Sequence, residues 1–140
     1  MNCPIARTLD RVGEWWSILI LRDAFFGRTK FDEFQRSTGI APNILTRRLK
    51  SLVEAGLLEK RAYQDRPVRY EYLLTDMGRD LQPLLIALSV FGNQHFADRG
   101  ITMRITDLGT GAAAQPVYVD SLTGKPIDAD TFSLKSIKQA

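Results

Sequence analysis

The chain has 140 residues, and its 19 Lys or Arg against 16 Asp or Glu give a net charge of +3. Its length and its 44% hydrophobic residues suit one hydrophobic core with a small appendage. A single cysteine excludes an internal disulfide, and a single histidine leaves no Cys/His set for zinc, so we expect neither a metal nor a cofactor. No apolar run approaches the roughly 20 residues that span a bilayer, and the N-terminus lacks the apolar core of a secretion signal, so we expect a soluble cytoplasmic protein without membrane contact.

Three helices are predicted before residue 40. Proline at the first position of a helix costs no hydrogen bond, which predicts a short helix over Pro4–Val12. Residues 14–26, EWWSILILRDAFF, are apolar around most of a helical circumference, so we expect this helix to be the buried centre of the fold. A third helix is predicted over residues 31–38, where two phenylalanines share one face, and Gly39 ends it.

A fourth helix, Pro42–Ala55, has the most informative pattern. An apolar stripe at helical spacing consists of Leu45, Leu49, Leu52 and Val53. At about 100° per residue, the opposite face carries Asn43, Thr46, Arg47 and Lys50. Arg48 points to the flank of the stripe, where we favour a structural ion pair over a contact with another molecule. Gly56 ends the helix, since glycine readily takes the left-handed conformation that closes it.

A basic hairpin is predicted next. The β-prone runs 58–64 and 69–74 flank a turn that contains Arg66, and Arg69 follows it. Residues 41–70 hold seven Lys or Arg and three acids, 7 − 3 = +4, against +3 for the whole chain. A basic helix face alone is often just a solvated surface. The full order of helices, tight turn and hairpin is more specific and is typical of a winged helix-turn-helix, whose last helix enters the DNA major groove.

One long helix is predicted from Asp76 to about Arg99, with Thr75 as its N-cap. Its apolar residues lie on more than one side, so part of this surface needs a partner. The same helix of a second subunit is the favoured partner, since Gly92 would let two backbones approach closely. The alternative is packing within the chain, against the tail or the N-terminal helix.

The last forty residues differ in character from the rest. Residues 101–140 hold four bases and four acids, and two short strands are predicted at 101–106 and 116–119. The predicted fold class is therefore α+β, mainly α. A winged helix-turn-helix domain with a long C-terminal dimerisation helix spans 1–99, and a small β-hairpin appendage spans 100–140.

Several motifs in this order resemble the HxlR family of bacterial transcription regulators, relatives of the MarR group. They are an N-terminal Cys-Pro, a tryptophan that opens the central helix, FDEF, ILTRRLKSLVEAGLL and YEYLLTDMGR, and the resemblance covers roughly residues 3–96. Some relatives extend into a zinc-ribbon-like hairpin with two Cys-Gly knuckles. Here Asp107-Leu108-Gly109 and Asp120-Ser121-Leu122-Thr123-Gly124 stand at those places, which implies a cysteine-free, metal-free version.

The resemblance implies a dimeric regulator, expected to be a repressor, that binds a pseudo-palindromic operator. The N-terminal and long C-terminal helices would form the homodimer, and Pro42–Ala55 would be the recognition helix. Contacts with double-stranded DNA are then assigned to Asn43, Thr46, Arg47 and Lys50 in the groove and to Arg66 and Arg69 in the wing.

Cys3 is a second candidate site, because several relatives are described as sensing oxidants or electrophiles through a cysteine at this position. In this sequence Cys3 precedes Pro4 at a helix N-terminus, where the helix dipole favours thiolate, and Arg7 adds positive charge one turn later. With no second cysteine, only an intersubunit disulfide or an adduct could form. The alternative is a small residue with an ordinary thiol, packed at the dimer interface.

Three other interpretations differ in how much support they have in the sequence. A small-molecule effector could occupy an apolar pocket with Trp15, Trp16 and Phe91 in its lining, although aromatics at helical spacing more often form a plain core. The alternative function is a protein-interaction module on a winged-helix scaffold that no longer binds DNA. An enzyme is not expected, because the sequence contains no nucleophile–base pair and no glycine-rich phosphate loop.

Overall fold

The structure, a computed structural model, describes residues 3–137. Contacts within the chain divide it into two compact units, Met1–Leu85 and Ile86–Ala140. This division falls inside the last helix, whereas the predicted functional boundary at residue 99 remains a prediction. Among the described residues, no helix is long and apolar enough to cross a membrane.

The first unit begins with four helices and a hairpin in the predicted order. They are α1 (Pro4–Val12), α2 (Trp15–Phe25), α3 (Phe31–Thr38), α4 (Pro42–Glu54), β1 (Leu58–Asp65) and β2 (Val68–Leu74). The predicted helix bounds are confirmed to within one residue. Helix α2 begins one residue later than predicted because Glu14 is its N-cap, with a side chain that accepts a hydrogen bond from the Ser17 N–H.

The core of the first unit joins α2, α3, α4 and the start of β1. Its buried apolar side chains are Val12, Ile20, Leu21, Phe34, Ile40, Leu45, Leu49, Leu52, Leu57 and Leu58. The predicted apolar stripe of α4 is confirmed, since its three leucines are fully buried and Val53 is partly buried against the core. Helix α2 is less enclosed than predicted, because Trp15 at its first position is 70% exposed.

The two strands pair as an antiparallel hairpin, from Leu58 opposite Leu74 to Asp65 opposite Val68. The register shifts at Tyr63, where β1 carries one extra residue, a bulge that increases the local twist. The linker between α2 and α3 adds to the other edge of β2, since the Tyr72 N–H donates to the Thr29 carbonyl over 2.7 Å. Hydrogen bonds therefore join the two strands to each other and also join β2 to the linker between α2 and α3.

A buried carboxylate holds the end of α2 against that linker. Asp23 is fully buried, and its Oδ1 accepts hydrogen bonds from Arg22 Nε at 3.1 Å and from an Arg28 guanidinium nitrogen at 3.3 Å. The Arg28 N–H also donates to the Asp23 carbonyl at 3.0 Å. A buried carboxylate needs such partners, and here they pin the turn that leads to the hairpin edge.

The single long helix predicted from residue 76 to about 99 is wrong. The structure has a short helix α5 (Asp76–Arg79) and then α6 (Gln82–His95). The break coincides with Pro83, which has no N–H to donate and whose ring clashes with the carbonyl four residues earlier in a continuous helix. The predicted cap is confirmed, since the Thr75 hydroxyl accepts an N–H of the first turn of α5 at 3.0 Å.

The predicted pairing of two tail strands is also wrong. In the described part of the tail, the only ladder contacts are isolated bridges of Thr106 with Ala113 and of Val119 with Pro126. The end of each predicted strand therefore pairs, across a tight turn, with residues that follow it closely in the chain and not with the other predicted strand. The two turns share the pattern Asp-x-x-Thr-Gly, over residues 107–111 and 120–124, and their final glycines both have φ of 73°.

Aspartates stabilise these tail turns from within. Asp107 Oδ1 accepts the Gly109 N–H at 2.7 Å, and Asp120 Oδ1 accepts the Leu122 N–H at 3.1 Å. Hydrogen bonds from the Thr123 hydroxyl and then from the Leu122 amide hold the pKa of Asp120 below its ordinary value. No group of three or more His, Cys, Asp or Glu is placed to hold a metal within residues 3–137.

Candidate nucleic-acid interface

The solvent-facing side of α4 carries the predicted groove residues. Asn43, Thr46, Arg47 and Lys50 are all exposed, directly opposite the buried leucine stripe. The Thr46 hydroxyl donates to the Pro42 carbonyl at 2.9 Å, so its oxygen remains available as an acceptor. Lys50 Nζ lies 4.0 Å from Glu54 Oε1, an exposed pair that contributes little stability and that a phosphate could displace.

Arg47 is the groove residue with the most hydrogen-bonding capacity. It is exposed and makes no ion pair with any part of the chain that the structure describes, so no carboxylate there occupies its five guanidinium donors. A guanidinium presented from a helix face has the geometry to bond both acceptors of a guanine edge. Its assignment as a base contact remains a prediction.

Arg48, next in sequence, makes the ion pair that its position predicted. Its Nε lies 3.3 Å from Oε2 of Glu14, and both side chains are about one-third exposed. The N–H is not aligned with the carboxylate, so the contact is electrostatic rather than a formed hydrogen bond. Glu14 is a residue that the sequence analysis missed, although a glutamate directly before a helix, three residues ahead of a serine, is a recognisable capping signal.

The hairpin presents a second set of cations. Arg66 lies in the turn and Arg69 follows it, and both are exposed and make no ion pair within residues 3–137. Lys60 was not predicted as a site residue, but its Nζ lies 4.3 Å from the centre of the Tyr70 ring. Since diagonal neighbours in a hairpin are within reach of long side chains, the strand register could have indicated this pair.

Cys3 lies at the N-cap of α1 and is half-buried. Its carbonyl accepts the Arg7 N–H at 2.9 Å, while its side chain makes no capping hydrogen bond. The thiol therefore lies at the N-terminus of α1 without a hydrogen bond to the amides of its first turn. Its reactivity remains a prediction.

The three aromatics predicted to line a pocket fall in different units. Trp15 is exposed and Trp16 packs against the core, both in the first unit. Phe91, in the second unit, is 56% exposed, and its ring lies 4.7 Å from that of His95 and 5.8 Å from that of Phe96. A pocket shared by the three remains a prediction.

A cleft of about 910 Å³, which the sequence analysis did not predict, lies between the end of α2, the hairpin and α5. Its lining mixes aromatic and charged side chains, including Phe25, Arg28, Arg61, Tyr72 and Arg79. Burial, and secondly the neighbouring Tyr70, raises the pKa of Tyr72 above its ordinary value. The arginines of this lining are already paired with Asp23, Glu71 and Asp76.

The chain is similar in sequence and structure to transcription regulators. The uncharacterised HTH-type transcriptional regulator Rv3095 of Mycobacterium tuberculosis is 36% identical over 126 residues, which cover 89% of this chain and 80% of that protein. The crystal structure of PA1607, a candidate transcription factor, is 40% identical with a TM-score of 0.85, covering 96% of this chain and 94% of that one. The redox regulator HypR in its reduced form is 30% identical with a TM-score of 0.62, covering 66% of this chain and 92% of HypR.

The matches differ in how much of the chain they cover. HypR matches about two-thirds of the chain, whereas PA1607 matches nearly all of it. Residues 11–99 match the HxlR-like helix-turn-helix family. The chain therefore belongs to the HxlR-like helix-turn-helix family and is a transcriptional regulator of the helix-turn-helix type.

Proposed function

We propose that this regulator is a homodimeric repressor that binds a pseudo-palindromic operator, with α4 in the major groove and the hairpin on the flanking backbone. The observation that carries the proposal is the two-sidedness of α4. Its leucine stripe is fully buried, while Asn43, Thr46, Arg47 and Lys50 face solvent. A helix held in this way presents a fixed set of donors and acceptors to a groove.

The exposed apolar surface of two helices supports the homodimer. None of the 14 residues of α6 is buried, although the helix is largely apolar. Leu84, Leu88 and Phe91 recur at helical spacing, and Leu88 and Phe91 are 51% and 56% exposed. On α1, Ile5 and Leu9 are each 57% exposed, one turn apart. Such surface on a regulator is best covered by a second subunit, whose symmetry would also present two recognition helices.

A thiol switch at Cys3 is the favoured mode of regulation. Cys3 lies at the start of α1, next to the apolar surface that the dimer would bury. HypR, which shares the fold at 30% identity, is described as a redox regulator. An adduct or an intersubunit disulfide at Cys3 would change the packing of α1 and favour one dimer arrangement over another. A small-molecule effector near Trp15, Trp16 and Phe91 is the alternative signal.

The test of the proposal is DNA protection over the region upstream of the chain's own gene and its neighbours. We expect two protected half-sites about one helical turn apart, overlapping a promoter, with affinity that falls as salt rises. Protection away from any promoter would argue against repression. If no sequence is bound above the non-specific level, DNA recognition is refuted, and a protein-interaction module would be the better description.

Arg47→Ala is expected to lower operator affinity by about 1–3 kcal/mol and to relax base preference at one position of each half-site, because a bidentate base contact is lost. Arg66→Ala is the matched control, since it removes the same side chain from the wing. It should weaken operator and non-specific DNA alike and flatten the salt dependence. Fluorescence anisotropy with both DNAs at several salt concentrations measures the difference, and equal effects of the two variants would contradict the assignment.

Cys3→Ser is expected to leave operator affinity in reducing buffer within about twofold, since serine replaces one atom and is itself a good N-cap. Treatment with an oxidant or an alkylating agent should change operator binding of the unaltered protein but not of the variant. Mass spectrometry of the intact protein would show whether an adduct or a linked dimer forms. An identical oxidant response in both proteins would eliminate Cys3 as the sensor.

A further inference from the structure

Glu14 connects the turn between α1 and α2 with the recognition helix through one carboxylate oxygen. Its Oε2 accepts the Ser17 N–H at 3.0 Å and lies 3.4 Å from the Ser17 hydroxyl. Through these contacts the Glu14 side chain caps α2. The same oxygen lies 3.3 Å from Nε of Arg48 on α4. We propose that Glu14 is a positioning residue for DNA recognition, which sets the orientation of α4 through Arg48. This inference rests on the proposed DNA-binding function.

The position of Arg48 on α4 explains why this contact matters. The buried stripe of Leu45, Leu49 and Leu52 holds α4 along one line. Arg48 lies on the flank of that line, so its ion pair resists rotation of the helix about its axis. Arg47 is its neighbour in sequence, about 100° around the helix. A contact that fixes the side of Arg48 therefore also fixes the direction in which Arg47 leaves the helix.

Glu14 is itself held in place by a tight turn. Helix α1 ends at Val12, and the Gly13 N–H donates to the Leu9 carbonyl at 2.7 Å. A Cβ on Gly13 would overlap that carbonyl, so only glycine fits there. Glu14 follows directly, in extended conformation, with its side chain turned back to cap α2. Because the pair is only about one-third exposed, water screens it less than a surface ion pair.

The same arrangement links α1 to the groove-facing side chains. Helix α1 carries Cys3 and the exposed Ile5 and Leu9, which the proposed dimer would use. A shift of α1 would move the Gly13 turn, and through Glu14 it would act on Arg48. The contact therefore offers a physical route by which a change at the subunit interface alters the orientation of α4.

Three variants separate positioning from the other roles of this pair. Glu14→Gln keeps the length and the capping acceptor but removes the charge, whereas Glu14→Asp keeps the charge and is a strong N-cap but is one methylene too short to reach Arg48. Arg48→Met keeps the apolar stem. Each should lower operator affinity by about 5- to 10-fold and leave non-specific DNA within about twofold. Glu14→Gln combined with Arg48→Met should be no weaker than Arg48→Met alone, because both changes remove one contact.

The direction in which Glu14→Gln changes operator affinity decides between a positioning role and a general effect of charge. If Glu14 were only an acid near DNA, its neutralisation would strengthen binding to every sequence. Equal or tighter operator binding by Glu14→Gln therefore overturns the proposal. If Arg48 instead contacted phosphate, Arg48→Met would weaken operator and non-specific DNA equally and reduce the salt dependence, which would also overturn it.

A measurement on the free protein keeps this proposal separate from the proposed function. Amide hydrogen exchange of α4 should be faster in Glu14→Gln and Glu14→Asp than in the unaltered protein, while exchange of α3 stays unchanged as the control for folding. Unchanged α4 exchange in both variants would refute positioning even if the protein binds its operator. Absence of any specific site for the unaltered protein would instead refute the proposed function.

Discussion

Replacing Leu88 with glutamate is expected to convert the protein to a monomer and to lower operator affinity by about 10²- to 10⁴-fold. Leu88 lies in the middle of α6 and is 51% exposed, between Leu84 and Phe91 on the same face. In the proposed homodimer, glutamate there would place a charge without a partner in an apolar interface. Losing the dimer converts linked binding of two half-sites into independent binding of each, which removes the gain in effective concentration.

The matched control for this variant is Gln82→Glu. Gln82 is an exposed residue of the same helix, about 120° around the axis from Leu88 and on the far side from Leu84 and Phe91. It adds the same charge, so a general effect of negative charge on DNA binding appears in both variants. Sedimentation velocity gives the oligomeric state, and anisotropy gives the operator affinity. A Leu88→Glu protein that remains dimeric with normal affinity would show that α6 is not the interface.

Gly78→Ala is expected to destabilise the first unit by roughly 3 kcal/mol, the upper part of the usual range for overpacking. Gly78 is buried in α5, and an added Cβ would overlap the Leu57 carbonyl oxygen and lie 3.1 Å from a methyl group of Leu74. That carbonyl accepts the Thr75 N–H at 3.1 Å, so it cannot move without losing the bond. Alanine gains about 1 kcal/mol of helix propensity over glycine, which is too little to offset the overlap.

Met77→Ala, at the neighbouring position, controls for the Gly78 change. Met77 is 57% exposed, so its truncation should alter the free energy of unfolding by about 1 kcal/mol or less. Urea denaturation followed by circular dichroism, at one fixed protein concentration, compares the two variants with the unaltered protein. If Gly78→Ala were as stable as Met77→Ala, the close approach of α5 to the start of β1 would not exist in solution.

The sequence alone predicted the elements whose signals are local. The stripe of α4 follows from 3.6-residue periodicity, and the ends of the helices follow from Pro4, Pro42, Gly39 and Gly56. The Thr75 cap and the basic turn of the hairpin also depend on residues that are adjacent in the chain. Each of these predictions depends only on residues within one or two helical turns of each other, so it does not require knowing how the elements pack.

A local signal, Pro83, explains why the single helix predicted after the hairpin is wrong. Pro83 interrupts residues 76–99, and the structure starts a new helix there. In the tail, two short strands were predicted to form a small β-hairpin. The turn residues dominate instead, because each aspartate side chain accepts a hydrogen bond from the backbone N–H two residues later and so closes the chain locally.

Only the tertiary structure decided the contacts between distant residues. Glu14 and Arg48 are 34 positions apart, and Gly78 meets Leu57 across 21. No periodicity specifies which acid approaches which arginine, or which glycine lies under which carbonyl, because these depend on how whole elements pack. The sequence by itself determined a helix with a polar, basic face, with Arg47 on that face and Arg48 on its flank. The packed fold decided that the acid beside Arg48 is Glu14, because that choice depends on how α4 packs against the turn between α1 and α2.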